Sequence, residues 1–141
     1  MSAKAELVVV GVDGSDESIE ALRWAATYGK KVGAKVCAIK SWHYPWAMQS
    51  APQQIDTSVE GQIQGELDEA ITKAGVDIEI ERSVREGHAS LVLVNASREA
   101  DLLVVGSKGH GAFAGMLLGS VSQHCAMNSV CPVVVVRLAP G

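Results

Sequence analysis

The sequence predicts a single α/β domain of about five parallel strands, with helices on both faces of the sheet. Three observations carry that prediction. Nearly continuous apolar runs alternate with segments whose apolar residues recur every three or four positions. The turns leading from helix to strand are short, which suits right-handed strand–helix–strand crossovers. The chain has 141 residues, one domain spanning 1–141, and such a length buries roughly two-thirds of its unfolded surface without staples.

Each element follows in order. Glu6-Leu7-Val8-Val9-Val10-Gly11-Val12 is almost unbroken apolar, as a strand buried on both faces requires. Asp13-Gly14-Ser15-Asp16 then offers a turn and helix N-caps. Ile19, Leu22, Ala26 and Gly29 mark the inner stripe of a helix that ends near Gly33. Lys35 to Ile39 predicts a second strand. Ser41 to about Thr57 has no period and two prolines, and predicts a long loop. Val59, Ile63, Leu67, Ala70 and Ala74 predict a second helix closed by Gly75. The alternation in Val76-Asp77-Ile78-Glu79-Ile80 predicts a third strand with one wetter face.

A third helix is expected from roughly His88 to Ala100, and a fourth strand over Asp101 to Val105. A glycine-rich stretch runs from Gly106 to Gly119. A fourth helix is expected over Gly119 to Asn128, and a last strand over Pro132 to Leu138. Strand order is not written in the sequence. A flavodoxin-like order, 3-2-1-4-5, would put the topological switch point between strands one and four.

Composition narrows the function. Hydrophobic residues are 48% and charged residues 20%, which excludes a disordered chain. With three Trp, two Tyr and one Phe, the core must be aliphatic. The net charge of -4 argues against nucleic acid as a partner, which demands a basic footprint. No apolar run reaches the roughly 18–20 residues that cross a membrane. Met1 to Glu6 leads into only a short apolar run and lacks a secretory cleavage pattern, so a cytoplasmic location is expected. Cys37, Cys125 and Cys131 fit neither a disulfide framework nor a four-ligand zinc site.

In open parallel sheets, ligands bind beyond the carboxyl ends of the strands at the switch point. Two segments would meet there: Gly11-Val12-Asp13-Gly14-Ser15 and Gly106-Ser107-Lys108-Gly109-His110-Gly111. Glycine at a strand end admits a ligand close to the backbone. Gly119-Ser120 would open the fourth helix, where free amides and the dipole favour an anion, and the hydroxyls of Ser120 and Ser122 add donors. This pattern serves phosphate cradling by neutral donors, without a dedicated lysine, and serves ordinary turn chemistry equally well. Asp13 suits a ribose hydroxyl or a phosphate-borne metal ion, and suits an N-cap or Asx turn. His110 in the glycine-rich loop reads mainly as solvated, and His43, His88 and His124 show no partner pattern.

Other motifs fail. The one nearby lysine, Lys108, precedes Gly109, so there is no P-loop. The first turn lacks the G-x-G-x-x-G spacing of dinucleotide enzymes. No Gly-x-Ser-x-Gly elbow and no paired carboxylates stand out. No residue is assigned a catalytic or metal-ligating role.

Four segments taken together resemble the universal stress protein family along essentially the whole chain. They are Val9-Val10-Gly11-Val12-Asp13-Gly14-Ser15, Ala100-Asp101-Leu102-Leu103-Val104-Val105-Gly106-Ser107-Lys108-Gly109, Leu117-Leu118-Gly119-Ser120-Val121-Ser122 and Cys131-Pro132-Val133-Val134-Val135-Val136-Arg137. The spacing G-x2-G-x9-G-[S/T], which marks the ATP-binding branch, is intact at Gly106, Gly109, Gly119 and Ser120.

The resemblance implies a Rossmann-like, flavodoxin-like domain that binds ATP, with Mg2+ or Mn2+ held mainly by the phosphates. It places phosphates along Gly109, Gly119, Ser120, Val121 and Ser122. It places adenosine near Val12, Asp13, Ser41 and Val105-Gly106. It implies a nucleotide-dependent regulatory protein of the stress response with protein partners it does not name. A slow or self-phosphorylating ATPase and a nucleotide-independent dimeric interaction module stand as alternatives. Homodimers are implied too, and physics agrees. In the 3-2-1-4-5 order, the last strand (Pro132 to Arg137) is an apolar edge that a twin copy would cover.

Overall fold

The computed structural model describes residues 6–43, 57–109 and 118–138. The chain alternates strand and helix throughout. β1 (Leu7–Gly11) leads into α1 (Asp16–Val32), and β2 (Lys35–Trp42) precedes α2 (Thr57–Ala74). β3 (Glu81–Glu86) is followed by α3 (Ala89–Ala96), β4 (Leu102–Gly106) by α4 (Ser120–Asn128), and β5 (Val133–Val136) ends the sheet. All pairings are parallel and the order is β3-β2-β1-β4-β5, the order named above. The loop segment with Tyr44, Trp46 and Met48, the His110 site and the tail from Ala139 lie outside the described residues.

Strand alternation builds two cores from one sheet. Val8, Val10, Val36, Ala38 and Val104 face α1 and α2, against Leu22 and Leu67. Val9, Ile39, Leu103 and Val105 face the other way, against Leu93, Ala96 and Cys125. The central strands are therefore apolar at every position. Each such side chain, fully buried, contributes about 1.5–3 kcal/mol.

α1 is bounded by its own sequence. Ser15 is its N-cap and accepts from the Ser18 amide at 3.3 Å, and Gly33 ends it in the left-handed region at φ 73°. The carboxyl end of α2 is held by α1: Arg23 Nε donates to Ala74 O at 3.0 Å.

Several elements differ from expectation, and β2 runs past Ile39 to Trp42, into the segment expected to be loop from Ser41. Val76 to Ile80 is not a strand; the third strand is β3, one step later. Val76 and Ile78 are partly buried and Ile80 is buried, all against the α1–α2 core. Their alternation reports packing, not sheet pairing. The ladder with β2 begins at Cys37 opposite Glu81 and runs to Trp42 opposite Glu86. As an edge, Glu-Arg-Ser-Val-Arg-Glu carries the charges that blunt edge-to-edge association, which is why no apolar run announces it. α3 is also shorter than expected. The Ser97 amide is shared between Leu93 O and Val94 O, and from Arg98 the amides reach back three residues, as Arg98 N to Asn95 O at 3.2 Å, so the helix tightens into turns. No helix among the described residues is long and apolar enough to cross a membrane.

Candidate functional site

α1 leaves β1 toward one face of the sheet and α4 leaves β4 toward the other. Between the diverging crossovers, beyond the carboxyl ends of β1 and β4, lies a cavity of ≈ 260 Å³. Val12, Asp13, Ser41, Val105, Gly106, Gly109, Gly119, Ser120, Val121 and Ser122 all border it. The structure thus brings to one cavity the ten residues that the resemblance implies.

The two helix starts at this cavity are built differently. At α1 four of the donors are already used, those of Asp13, Gly14, Ser15 and Ser18. The Ser18 hydroxyl accepts from the amides of Gly14 (3.1 Å) and Asp13 (3.4 Å) and donates to Ser15 O at 2.9 Å. Asp13 Oδ1 accepts from the Ser15 amide at 2.9 Å and from its hydroxyl at 2.5 Å. Asp16 and Glu17 add negative charge to the first turn. Asp13 therefore carries the turn role, whatever else it does.

α4 has none of this. Its N-cap is Gly119, no side chain caps it, and its first turn has no acidic residue. By helix geometry the amides of Ser120, Val121 and Ser122 lack intrahelical acceptors, and these three residues border the cavity. The entry to α4 is nonetheless firmly placed. Ser107 O accepts from the Gly119 amide at 2.6 Å and from the Ser122 hydroxyl at 2.8 Å. That hydroxyl also lies 2.9 Å from Gly119 O. Ser122 is 1% exposed, and its hydroxyl is committed to the backbone.

The glycines divide by role. A Cβ on Gly106 would lie 2.7 Å from Glu17 Cβ and 2.9 Å from its carbonyl carbon, so this glycine admits α1 onto β4. A Cβ on Gly11 would lie 2.7 Å from Leu93 Cδ1, so that one admits α3. Gly119 is different: its φ is -73°, and a Cβ would meet its nearest neighbours at ordinary contact distance, 3.4–3.6 Å. Nothing in the fold demands glycine there.

Sequence reasoning missed several contributors. Ile39, Ala89 and Leu93 form an apolar side of the cavity, and Ser18 and Lys108 border it. Ser107 was visible within the glycine-rich segment, but its buried carbonyl role was not. His43 and His88 were left unpaired, yet their ring centroids are 4.3 Å apart at a 44° tilt. The Gly87 amide donates to Trp42 O at 2.7 Å and joins the residues just before them. The three thiols make poor nucleophiles. Burial is the main cause that raises Cys37, Cys125 and Cys131 above the ordinary thiol value.

Fold and cavity define an open, doubly wound α/β protein with a crevice at its switch point. The match to the universal stress protein family model extends over residues 5–137. The chain belongs to the universal stress protein family. It is 31% identical over 134 residues to the universal stress protein Rv2624c of Mycobacterium tuberculosis, covering 92% of this chain and 47% of that relative. The chain spans about half the length of the curated relatives it matches. A universal stress protein solved in complex with cAMP is 32% identical, with a TM-score of 0.65 and coverage of 95% and 98%. One from Archaeoglobus fulgidus solved with dAMP is 22% identical, with a TM-score of 0.62 and coverage of 93% and 97%, and it shares the fold.

Proposed function

We propose that this chain is an ATP-binding regulatory protein of the stress response, with the nucleotide in the crevice between β1 and β4. The observation that carries this reading is the uncapped start of α4. Three amides without intrahelical acceptors meet a cavity that also has an apolar side. Phosphates suit the amides of Ser120, Val121 and Ser122 beside Gly109 and Gly119. Adenosine suits the side formed by Val12, Ile39, Ser41, Leu93 and Val105. The related protein solved with cAMP supports an adenine nucleotide as the ligand class.

Among the described residues, no group of three or more His, Cys, Asp or Glu side chains is placed to hold a metal. A Mg2+ or Mn2+ ion would take its oxygens mainly from the phosphates, with Asp13 the carboxylate on the cavity wall. Ligand occupancy would shift the balance of loop or subunit states that partner proteins read. The working form is a homodimer joined through Pro132 to Arg137. β5 is an edge of four partly exposed valines, flanked by exposed Val130 and Leu138.

Mass spectrometry of the purified protein, with calorimetry against ATP, AMP and cyclic AMP, tests the reading. A bound adenine nucleotide or saturable heat is expected. A ligand-free protein that gives no heat with any of the three overturns it.

A further inference from the structure

Lys108 borders the cavity two residues beyond the end of β4. Its Cα is 3.4 Å from the place a Cβ on Gly119 would take, so its side chain starts beside the entry to α4. A cation at a helix N-terminus opposes the helix dipole. The ion pairs among the described residues, Arg23–Glu20, Lys30–Asp77 and Arg82–Asp68, do not include Lys108. Oδ1 of Asp13, the carboxylate on the same wall, is engaged by Ser15. A lysine stem, three amides and a helix dipole therefore border one cavity, with the Asp13 carboxylate on the same wall.

We propose that Lys108 makes this crevice selective for phosphate number, favouring nucleoside di- and triphosphates over mono- and cyclic phosphates. The inference rests on the nucleotide reading above and deepens it. Backbone amides are fixed neutral donors, placed for the phosphate nearest them. Lysine adds a point charge on a flexible stem, able to follow a longer phosphate chain. The ammonium rewards each added negative charge, and the amides alone do not. Lys108 is partly exposed and Gly109 exposed, so salt screens the effect.

Calorimetry with ATP, ADP and AMP on the wild type, Lys108→Met and Lys108→Arg tests this. Methionine keeps the length of the stem and removes the charge. Lys108→Met is expected to weaken ATP about tenfold and AMP less than about twofold. Lys108→Arg is expected to keep the wild-type ratio, and added salt to erode that ratio in the wild type and in Lys108→Arg but not in Lys108→Met. An ATP-to-AMP ratio unchanged in Lys108→Met, in a wild type that binds ATP, overturns the role of Lys108 and leaves the nucleotide reading standing. A wild type that binds none of the three overturns both. Circular dichroism of each variant confirms the fold on which the comparison depends.

Discussion

Gly109 and Asp13 approach so closely that a methyl group on Gly109 would collide with Oδ2 of Asp13. The bends after β1 and β4 are thus fitted to each other across the crevice. In Gly109→Ala, Asp13 must rotate and disturb its bonds to the Ser15 amide and hydroxyl. A stability loss of about 1–2 kcal/mol is expected, together with weaker ATP binding. The cost should be non-additive. With Asp13→Ala already in place, adding Gly109→Ala should cost almost nothing further in urea denaturation. A full, additive second cost would show that the collision is not what glycine avoids.

Gly106 and Gly119 both belong to the family spacing, yet they should fail in different ways. In Gly106→Ala the new Cβ meets Glu17 Cβ and backbone, and overpacking of this kind costs about 1–3 kcal/mol. Gly119→Ala meets only ordinary contacts and costs at most about 1 kcal/mol through the poorer N-cap. Its methyl narrows the gap between α4 and the β4 bend, so ATP affinity should fall tenfold or more while the fold persists (about 1.4 kcal/mol). Thermal melts paired with calorimetry separate the two. Equal loss of stability in both variants would contradict this division.

β5 offers a test of assembly that spares the sheet. Leu103 N donates to Pro132 O at 3.0 Å and Ser107 N to Val136 O at 2.8 Å. In parallel pairing, the even-numbered positions of β5 therefore face β4, and Val135 turns its amide outward. Val135→Pro removes that outward donor without breaking the ladder to β4. Sedimentation should show the dimer weakened by about tenfold or more, with the far-ultraviolet spectrum retained. A dimer of unchanged strength would place the interface elsewhere.

Much of this was legible in the sequence, for physical reasons. Central parallel strands are apolar at every position, so β1 and β4 announce themselves in Leu7 to Gly11 and Leu102 to Gly106, and the edge β5 shows through its four valines, Val133 to Val136. The crevice was legible because glycines must stand where chains approach, as Gly106 does against Glu17. β3 was not, because an edge strand needs no apolar run and Val76 to Ile80 mimics one while packing in the core. Nor was the commitment of Ser122, whose hydroxyl turns to Ser107 O across fifteen residues. Spacing shows where a hydroxyl stands along the chain; only the fold shows which acceptor it meets. The same limit hid His43 beside His88.

Cys125 makes the alkaline limb of stability a prediction. The residue is fully buried, and burial, with the Cys131 thiol second, pushes its pKa from 9.0 up to about 11. The folded protein therefore keeps a proton that the unfolded chain releases. Below pH 9 the thiol is protonated in both states and costs nothing. Between about pH 9 and 11 the unfolded state binds fewer protons, so stability falls as pH rises, by about 2 kcal/mol across the window. Cys125→Ala removes that slope but costs about 1 kcal/mol at neutral pH through lost packing. Urea midpoints should thus favour the wild type at pH 7, and the gap should close or reverse by pH 11. Other groups that titrate in this range are shared by both proteins and cancel in the difference. Parallel curves from pH 7 to 11 would show that the Cys125 thiolate meets no penalty in the fold.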